Sequence, residues 1–242
     1  MAQDQHSTTS DTQEQKHSVN IVRDRTTAGC LTEGWRLLAD NIWSLLRLSW
    51  PLLAAYALWG ICFGLNQLPA FSSTALGLTL TIAGIILDLI FIWHTALLIR
   101  RYNQLGYFPA TTMLQLWRTD GTASLRALLR QLRLLITSPR QWLSFLVIII
   151  VAGLVFTLVA MLFAMPYVLI NIINLQTTYA LSIGDAVELP AYLNWLFPTV
   201  MAAASTFLTI ASWSLLMPLA FHAGKLLHLH LESKKQPLEE KN

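Results

Sequence analysis

The sequence predicts an all-α integral membrane protein with four transmembrane helices, and three observations support this class. Of its 242 residues, 55% are hydrophobic and only 12% are charged, and the mean hydropathy is +0.52. In soluble domains about a quarter of the residues are charged. Four apolar segments reach the length of about 17 or more helical residues that crosses a bilayer core. They are residues 51–68, 73–99, 142–170 and 193–222. The third observation is the placement of the positive charges.

The distribution of Lys and Arg predicts the orientation of the spans. All sixteen lie in the N-terminal region, in residues 100–140 between the second and third spans, or at the C-terminal end. The first outer turn, LPAFSS, is uncharged, and the second, INLQTTYALSIGDAVELPAY, carries only Asp185 and Glu188. Cytoplasmic loops carry the excess of Lys and Arg. We therefore expect both termini and the linker, residues 102–121, on the cytoplasmic side of a bacterial inner membrane.

Two segments precede the first span. Residues 1–27 are rich in Gln, Ser, Thr and Asp and lack the apolar core of a signal peptide, so we expect a disordered cytoplasmic tail. Residues 28–49 predict an amphipathic helix that lies on the inner membrane surface and turns at Pro51 into the first span. Its apolar positions recur at spacings of three and four: Leu31, Trp35, Leu38, Ile42 and Leu46.

A second amphipathic helix is predicted over residues 122–137, after the linker. Arg126, Arg130 and Arg133 follow one side of it, next to a row of leucines. Anionic lipids of the inner leaflet attract such arginines by about 1 kcal/mol each. Two interpretations remain open: the arginines bind lipid headgroups, or they only enforce the topology.

The two halves of the chain, residues 28–101 and 122–231, have the same order of elements. Each contains an amphipathic helix, a span, an outer turn and a second span, followed in the second half by a tail over residues 232–242. Trp142 matches Trp50, and His222 matches His94. Because an even number of spans separates the copies, the sequence predicts a parallel tandem repeat.

Small and hydroxylated residues recur at helical spacing in the second span of each half. Such surfaces let membrane helices approach closely, so we expect these two spans to pack against each other. The stripes are Gly77, Thr81, Gly84, Asp88, Phe91 and Thr95 in one span, and Ser205, Thr209, Ser212, Leu216, Leu219 and Ala223 in the other. A Gly60 and Gly64 pair in the first span is a further packing motif.

Asp88 is the acidic residue inside the second span, and an intramembrane carboxylate is a functional-site hypothesis by default. Because no Lys or Arg lies within its span, we expect Asp88 to be protonated. Its expected partners are Ser212, Thr209 or the hydroxyl of Tyr56 or Tyr167. One interpretation is a structural interhelical hydrogen bond of about 0.6 kcal/mol. The other is a proton relay or ion site.

His94 and His222 fall near the inner ends of their spans. A shared metal site would need a third ligand at fixed spacing, so the pattern favours interfacial packing, and we predict neither metal nor cofactor. Cys30 and Cys62 are predicted to be free thiols. The sequence carries no nucleotide-binding loop and no GxSxG, HExxH or CxxC motif.

The segment EGWRLLADNIWSLLRLSWPLL resembles the entry region of bacterial multi-pass membrane proteins, including those like the membrane domain of glycerophosphodiester phosphodiesterases. Trp35, Asn41 and residues 45–48 carry the likeness. The resemblance implies a helical integral-membrane architecture. The soluble phosphodiesterase catalytic domain has no counterpart in this sequence, so no catalytic residue is implied.

These observations predict a non-enzymatic accessory or scaffolding subunit that organises a membrane complex or lipid. Its expected partners are anionic inner-leaflet lipids and either further copies of itself or another membrane subunit, and not nucleic acid. The alternative is a small homo-oligomeric transporter or proton-coupled permease that uses Asp88. An enzyme acting on lipid is a third, less favoured reading.

Overall fold

The protein is a bundle of five α-helices in the computed structural model, which describes residues 21–68, 71–108, 111–137, 141–182 and 193–239. In chain order the helices are α1 (Thr27–Asn66), α2 (Thr74–Leu105), α3 (Met113–Thr137), α4 (Trp142–Ser182) and α5 (Leu193–Glu239). All except α3 contain a stretch that is long and apolar enough to cross a membrane. The prediction of an all-helical chain with four candidate spans is confirmed at this level.

Helix α1 begins at an N-cap and continues without a break through Pro51. The side chain of Thr26 accepts a hydrogen bond from the backbone N–H of Gly29, which satisfies one of the free donors of the first turn. Pro51 cannot donate to the carbonyl of Arg47, yet the helix runs on to Asn66. The surface helix 28–49 and the first span are therefore one continuous helix, and the predicted change of direction at Pro51 stays a prediction.

Helices α1 and α5 are antiparallel and in close contact at both ends of α1. Gly34 lies against the backbone of Pro218, and a Cβ atom on Gly60 would lie only 2.6 Å from the carbonyl oxygen of Met201. Gly64 meets the backbone of α5 in the same way. No side chain larger than hydrogen fits between these backbones, so the glycines set the distance between the two helices.

The apolar face of the first part of α1 is covered by protein. Leu31 is buried, and Trp35 donates its indole N–H to the carbonyl of Ser214 on α5 over 2.8 Å. Trp43 and Trp50, seven residues apart, instead point outwards and are 81% and 65% exposed. The amphipathic pattern of this segment thus reflects packing on α5, while exposed tryptophans of this kind suit a membrane–water interface.

Helix α3 begins earlier than predicted. Helix α2 ends at Gly106, which adopts a left-handed conformation with φ of 75°. Six residues later Thr112 and Gln115 form a reciprocal capping box: each side chain accepts a hydrogen bond from the other's backbone N–H. Residues 113–121, which the sequence assigned to the linker 102–121, are therefore helical and continuous with the predicted helix 122–137.

Helices α4 and α5 extend beyond the predicted spans. Helix α4 runs to Ser182, so residues 171–182 are helical although they were assigned to the outer loop. No Gly or Pro occurs between Pro166 and Gly184 to end the helix. Helix α5 continues from 222 to Glu239, through most of the predicted tail 232–242. Asp185, Glu188 and the tail 1–20 lie outside the described residues.

The two predicted stripes do not pack against each other along their whole length, because α1 lies between their outer parts. On α2, Gly84 faces the indole of Trp59, and Asp88 contacts Tyr56, both from α1. On α5, the hydroxyl of Ser205 donates to the backbone carbonyl of Tyr56 over 2.8 Å. The outer parts of the two stripes therefore pack on opposite sides of one helix. Further inwards the two helices meet, because Phe91 and Thr95 of the α2 stripe contact Trp213 of α5.

Charged side chains gather at one end of the bundle. Arg25 pairs with Glu33 at the start of α1, and the guanidinium of Arg25 lies 5.0 Å from the ring of Phe221 on α5. Arg101, near the end of α2, pairs with Asp120 of α3 at 3.2 Å. The start of α4 lies at this same end, because Ser144 is hydrogen-bonded to Thr27. We call this the charged end of the bundle.

Candidate functional site

His94 is the centre of a buried hydrogen-bond network that joins α1, α2 and α3. Its side chain is fully buried. Nε2 lies 3.0 Å from the hydroxyl oxygen of Ser49, and Nδ1 accepts the indole N–H of Trp117 over 2.9 Å. An indole can only donate, so Nδ1 carries no proton. The network therefore fits the neutral tautomer of His94 that donates from Nε2 to Ser49.

Aromatic rings enclose this network. Trp117 lies against the rings of both His94 and Trp93, with centroid distances of 6.0 and 5.0 Å. The indole N–H of Trp93 donates to the carbonyl of Gly121, which ties α3 to α2 a second time. Helix α5 is joined to α2 next to this network, since the indole N–H of Trp213 donates to the hydroxyl of Thr95. The polar groups around His94 therefore form hydrogen bonds that join helices.

Asp88 lies further from the charged end and is held by Tyr56. The phenolic hydroxyl of Tyr56 donates to Oδ1 of Asp88 over 2.7 Å. Tyr56 itself is buried and meets Phe91 edge to face. Asp88, in contrast, is exposed at the outer surface of α2. In a membrane this side of α2 faces lipid or another protein, and not the interior of the bundle.

Two of the expected partners of Asp88 bond elsewhere. The hydroxyl of Ser212 donates to the carbonyl of Thr209, and the hydroxyl of Thr209 donates to the carbonyl of Ser205, all within α5. Such bonds to the preceding turn satisfy a hydroxyl locally. The side chain of Tyr167 lies outside the described residues. Thr81 is exposed on α2 and donates to the carbonyl of Gly77.

His222, the counterpart of His94 in the repeat, has a different environment. It is 1% exposed and lies 5.9 Å from the ring of Phe145 on α4. Within the part of the chain that the structure describes, neither of its ring nitrogens has a hydrogen-bond partner. In the same part, His94 and His222 do not join a group of three metal-ligating side chains.

The outer surface of α3 combines positive charge with apolar side chains. Its inner side packs on α2 through Trp117 and Gly121, and Leu116 and Ser124 are buried. On the outside, Leu125, Leu129 and Ile136 are exposed. Beside them on the helix, the side chains of Arg126, Arg130 and Arg133 are also exposed. We call these six residues the basic face of α3.

Comparison with known proteins gives no relative: no family model, curated protein sequence or solved structure matches this chain. The resemblance carried by Trp35 and Asn41 therefore stays a prediction. Over the described residues the fold is all-helical, with four helices long and apolar enough to span a membrane.

The residue that the sequence analysis missed is Trp117. It was placed in the linker, although it supplies the hydrogen bond that fixes the tautomer of His94. A local signal was present. The sequence Thr-Met-Leu-Gln from Thr112 to Gln115 has the spacing of a capping box, which predicts the start of a helix that contains Trp117.

Proposed function

We propose that this protein is a non-enzymatic accessory or scaffolding subunit of a bacterial inner membrane, where it organises lipid or a membrane complex. The observation that carries the proposal is the basic face of α3, whose arginine and apolar side chains are exposed. Apolar and basic side chains lie next to each other on it, as they do in helices that bind the headgroup layer. A scaffold of this kind acts through its outer surfaces, whereas the polar groups of the interior join helices.

The charges support cytoplasmic termini. Arg25 and Arg101 lie at the charged end of the bundle, and no Lys or Arg occurs in residues 48–99 or 141–224. Under the positive-inside rule this end is cytoplasmic, so α3 would lie on the leaflet that carries anionic lipid. The tandem repeat belongs to the same proposal. Its support is that His94 and His222, matched in sequence, are both buried.

The lipid part of the proposal is tested by exchange of bound lipid. The full-length protein is reconstituted with phosphatidylcholine and phosphatidylglycerol, and the retained lipids are counted by native mass spectrometry. Arg126→Gln with Arg130→Gln removes two arginines at about 1 kcal/mol each, so anionic lipid should bind roughly 30-fold more weakly. Phosphatidylcholine retention should not change.

A matched control removes the same charge from α1. Arg36 and Arg47 of α1 are exposed, and Arg36→Gln with Arg47→Gln lowers the net charge equally. We expect this variant to retain anionic lipid nearly as well as the wild type. Equal losses in both double variants would show a general charge effect and contradict a specific role for α3.

The orientation is tested by labelling of single cysteines from outside the cell. In a background with Cys30→Ala and Cys62→Ala, Gln176→Cys lies near the end of α4 away from the charges, and Thr122→Cys lies on α3. An impermeant reagent should label position 176 in intact cells and position 122 only after lysis. The reverse pattern would invert the proposed topology.

The permease alternative depends on Asp88. Its position on the outer surface of α2 gives more support to lateral contact than to a pathway through the bundle. The two functions are separated with Asp88→Asn in sealed vesicles. A proton or solute flux that wild-type protein supports and Asp88→Asn abolishes would favour the permease and contradict the scaffold.

A further inference from the structure

Helix α3 carries the same pair of exposed side chains twice, one helical turn apart. Leu125 and Arg126 form the first pair, and Leu129 and Arg130 form the second. A step of four residues along an α-helix is a rise of about 6 Å and a rotation of about 40°. The two pairs therefore point in nearly the same direction, with the leucines on one side of the exposed surface and the arginines on the other. We call these four residues the Leu-Arg pairs.

No carboxylate of α3 compensates the charge of these two arginines. Asp120 is the acidic residue in the sequence of this helix, and its carboxylate lies 3.2 Å from the guanidinium of Arg101 on α2. Like charges one turn apart on a helix repel each other. An anionic ligand that contacts both arginines removes this repulsion, so the charge of the Leu-Arg pairs favours a ligand with two negative groups.

Each Leu-Arg pair matches the two parts of one phosphatidyl group. A guanidinium forms charge-assisted, often bidentate hydrogen bonds with a phosphate. A leucine beside it contacts the start of an acyl chain, as in other helices that lie in the headgroup layer. In diphosphatidylglycerol, a glycerol bridge joins two phosphatidyl groups, so this lipid offers the same combination twice at short separation. Once one phosphate is bound, the other is held close to the second arginine.

We propose that the Leu-Arg pairs of α3 bind one molecule of diphosphatidylglycerol, with one phosphate on each arginine and the acyl chains on the leucines. This inference rests on the proposed function, because it specifies which anionic lipid the basic face of α3 prefers. Phosphatidylglycerol has one phosphate and engages one pair at a time. Contact of a second phosphate with a second arginine should therefore strengthen binding about fivefold.

The preference is measured as the ratio of two dissociation constants. Full-length protein in phosphatidylcholine bilayers is titrated with diphosphatidylglycerol or with phosphatidylglycerol at equal total phosphate, and bound lipid is counted by native mass spectrometry. We expect phosphatidylglycerol to bind about five times more weakly. Arg130→Gln leaves Arg126 and Arg133 about 10.5 Å apart along the helix, so the second phosphate loses its contact and the ratio should fall to about one.

A matched control removes the same charge from another position of α3. Arg118 is exposed and lies about 12 Å along the axis from Arg126. Arg118→Gln should leave the ratio at about five, and the helical circular dichroism of both variants should equal that of the wild type. The deacylated headgroup, which keeps both phosphates and lacks the chains, should compete poorly for the site. Competition as strong as that of the intact lipid would contradict a role for the leucines.

Three further results would overturn the inference. They are a wild-type ratio of about one, an equal fall of the ratio in Arg118→Gln and Arg130→Gln, and an acidic protein that the wild type holds at fixed ratio in native membranes and that Arg126→Gln with Arg130→Gln releases. The proposed function is tested separately by retention over phosphatidylcholine. A ratio of about one with both anionic lipids retained would contradict only the preference for two phosphates, whereas equal retention of all three lipids would contradict both proposals.

Discussion

The phenolic hydroxyl of Tyr56 donates to the carboxyl of Asp88 over 2.7 Å and joins a buried residue of α1 to an exposed residue of α2. The bond links the exposed Asp88 to the interior of the bundle and gives this acid a structural role within the chain.

This bond should contribute little to the stability of the monomer. Interhelical hydrogen bonds in membranes average about 0.6 kcal/mol because the unfolded helices also find partners. We expect Tyr56→Phe to lower the free energy of unfolding in mixed micelles by about that amount. Asp88→Asn keeps an acceptor oxygen and should cost less. A double-mutant cycle gives the coupling, and a value near zero would show that the bond does not form.

Alanine at a glycine between α1 and α5 should lower the free energy of unfolding, whereas alanine at a glycine without close neighbours should raise it. A Cβ on Gly60 would meet the hydroxyl of Ser205 at 2.5 Å, whereas Gly153 of α4 has open space around it. Gly60→Ala should therefore separate the helices and lower the free energy of unfolding by about 1 to 3 kcal/mol.

The control variant should change the free energy of unfolding in the opposite direction. Gly153→Ala should raise the free energy of unfolding by about 0.5 to 1 kcal/mol, because alanine favours the helix and meets no neighbour. Thermal unfolding in one detergent compares both variants with the wild type. Similar shifts of the midpoint in the two variants would contradict the close approach at Gly60.

Removal of the indole donor should destabilise the layer around His94. Trp117→Phe leaves Nδ1 of His94 buried without a hydrogen bond, which costs about 1 to 3 kcal/mol. Trp43→Phe changes the same residue type at a position that is 81% exposed and should stay within about 0.5 kcal/mol of the wild type. The free energies of unfolding are compared in the same micelles, and a cost at position 43 as large as at 117 would argue against the network.

The capping box should determine the start of α3. Thr112→Ala removes the acceptor for the N–H of Gln115 and should cost about 1 kcal/mol. Thr111→Ala alters the preceding exposed threonine and serves as the control. Hydrogen exchange at residues 113–116 reports the effect directly. It should become faster in Thr112→Ala alone, and equal rates in both variants would place the helix start elsewhere.

Several contacts could not be predicted from the local sequence. The Gly60 and Gly64 pair was recognised as a packing motif, but nothing in its spacing shows that its partner is α5. The stripes on α2 and α5 were recognised as close-packing surfaces, yet Asp88 of one and Ser205 of the other both contact Tyr56 of α1. A surface made of small residues fits any helix of similar shape, so its partner depends on how the whole chain is arranged.

The local sequence likewise does not show what covers the apolar face of the first part of α1. Apolar residues at Leu31 and Trp35 predict an amphipathic helix whether the apolar face meets lipid or protein. Only the position of Ser214 on a neighbouring helix shows that Trp35 bonds to protein. The hydroxyl partner of Asp88 is a similar case, since four hydroxyls had suitable positions and one of the four, that of Tyr56, is in contact.

The sequence by itself determined that the chain is helical and carries four segments able to cross a membrane, because these properties follow from the length and composition of single segments. It also located Asp88 within a span. Tertiary structure alone decided that α1 lies between α2 and α5, that Trp117 completes the layer at His94, and that Asp88 lies at the outer surface. These depend on contacts between residues far apart in the sequence, such as Tyr56 and Ser205, which are 149 positions apart. Local periodicity fixes a helix and its faces, whereas the neighbour of each face is chosen by the packing of all helices together.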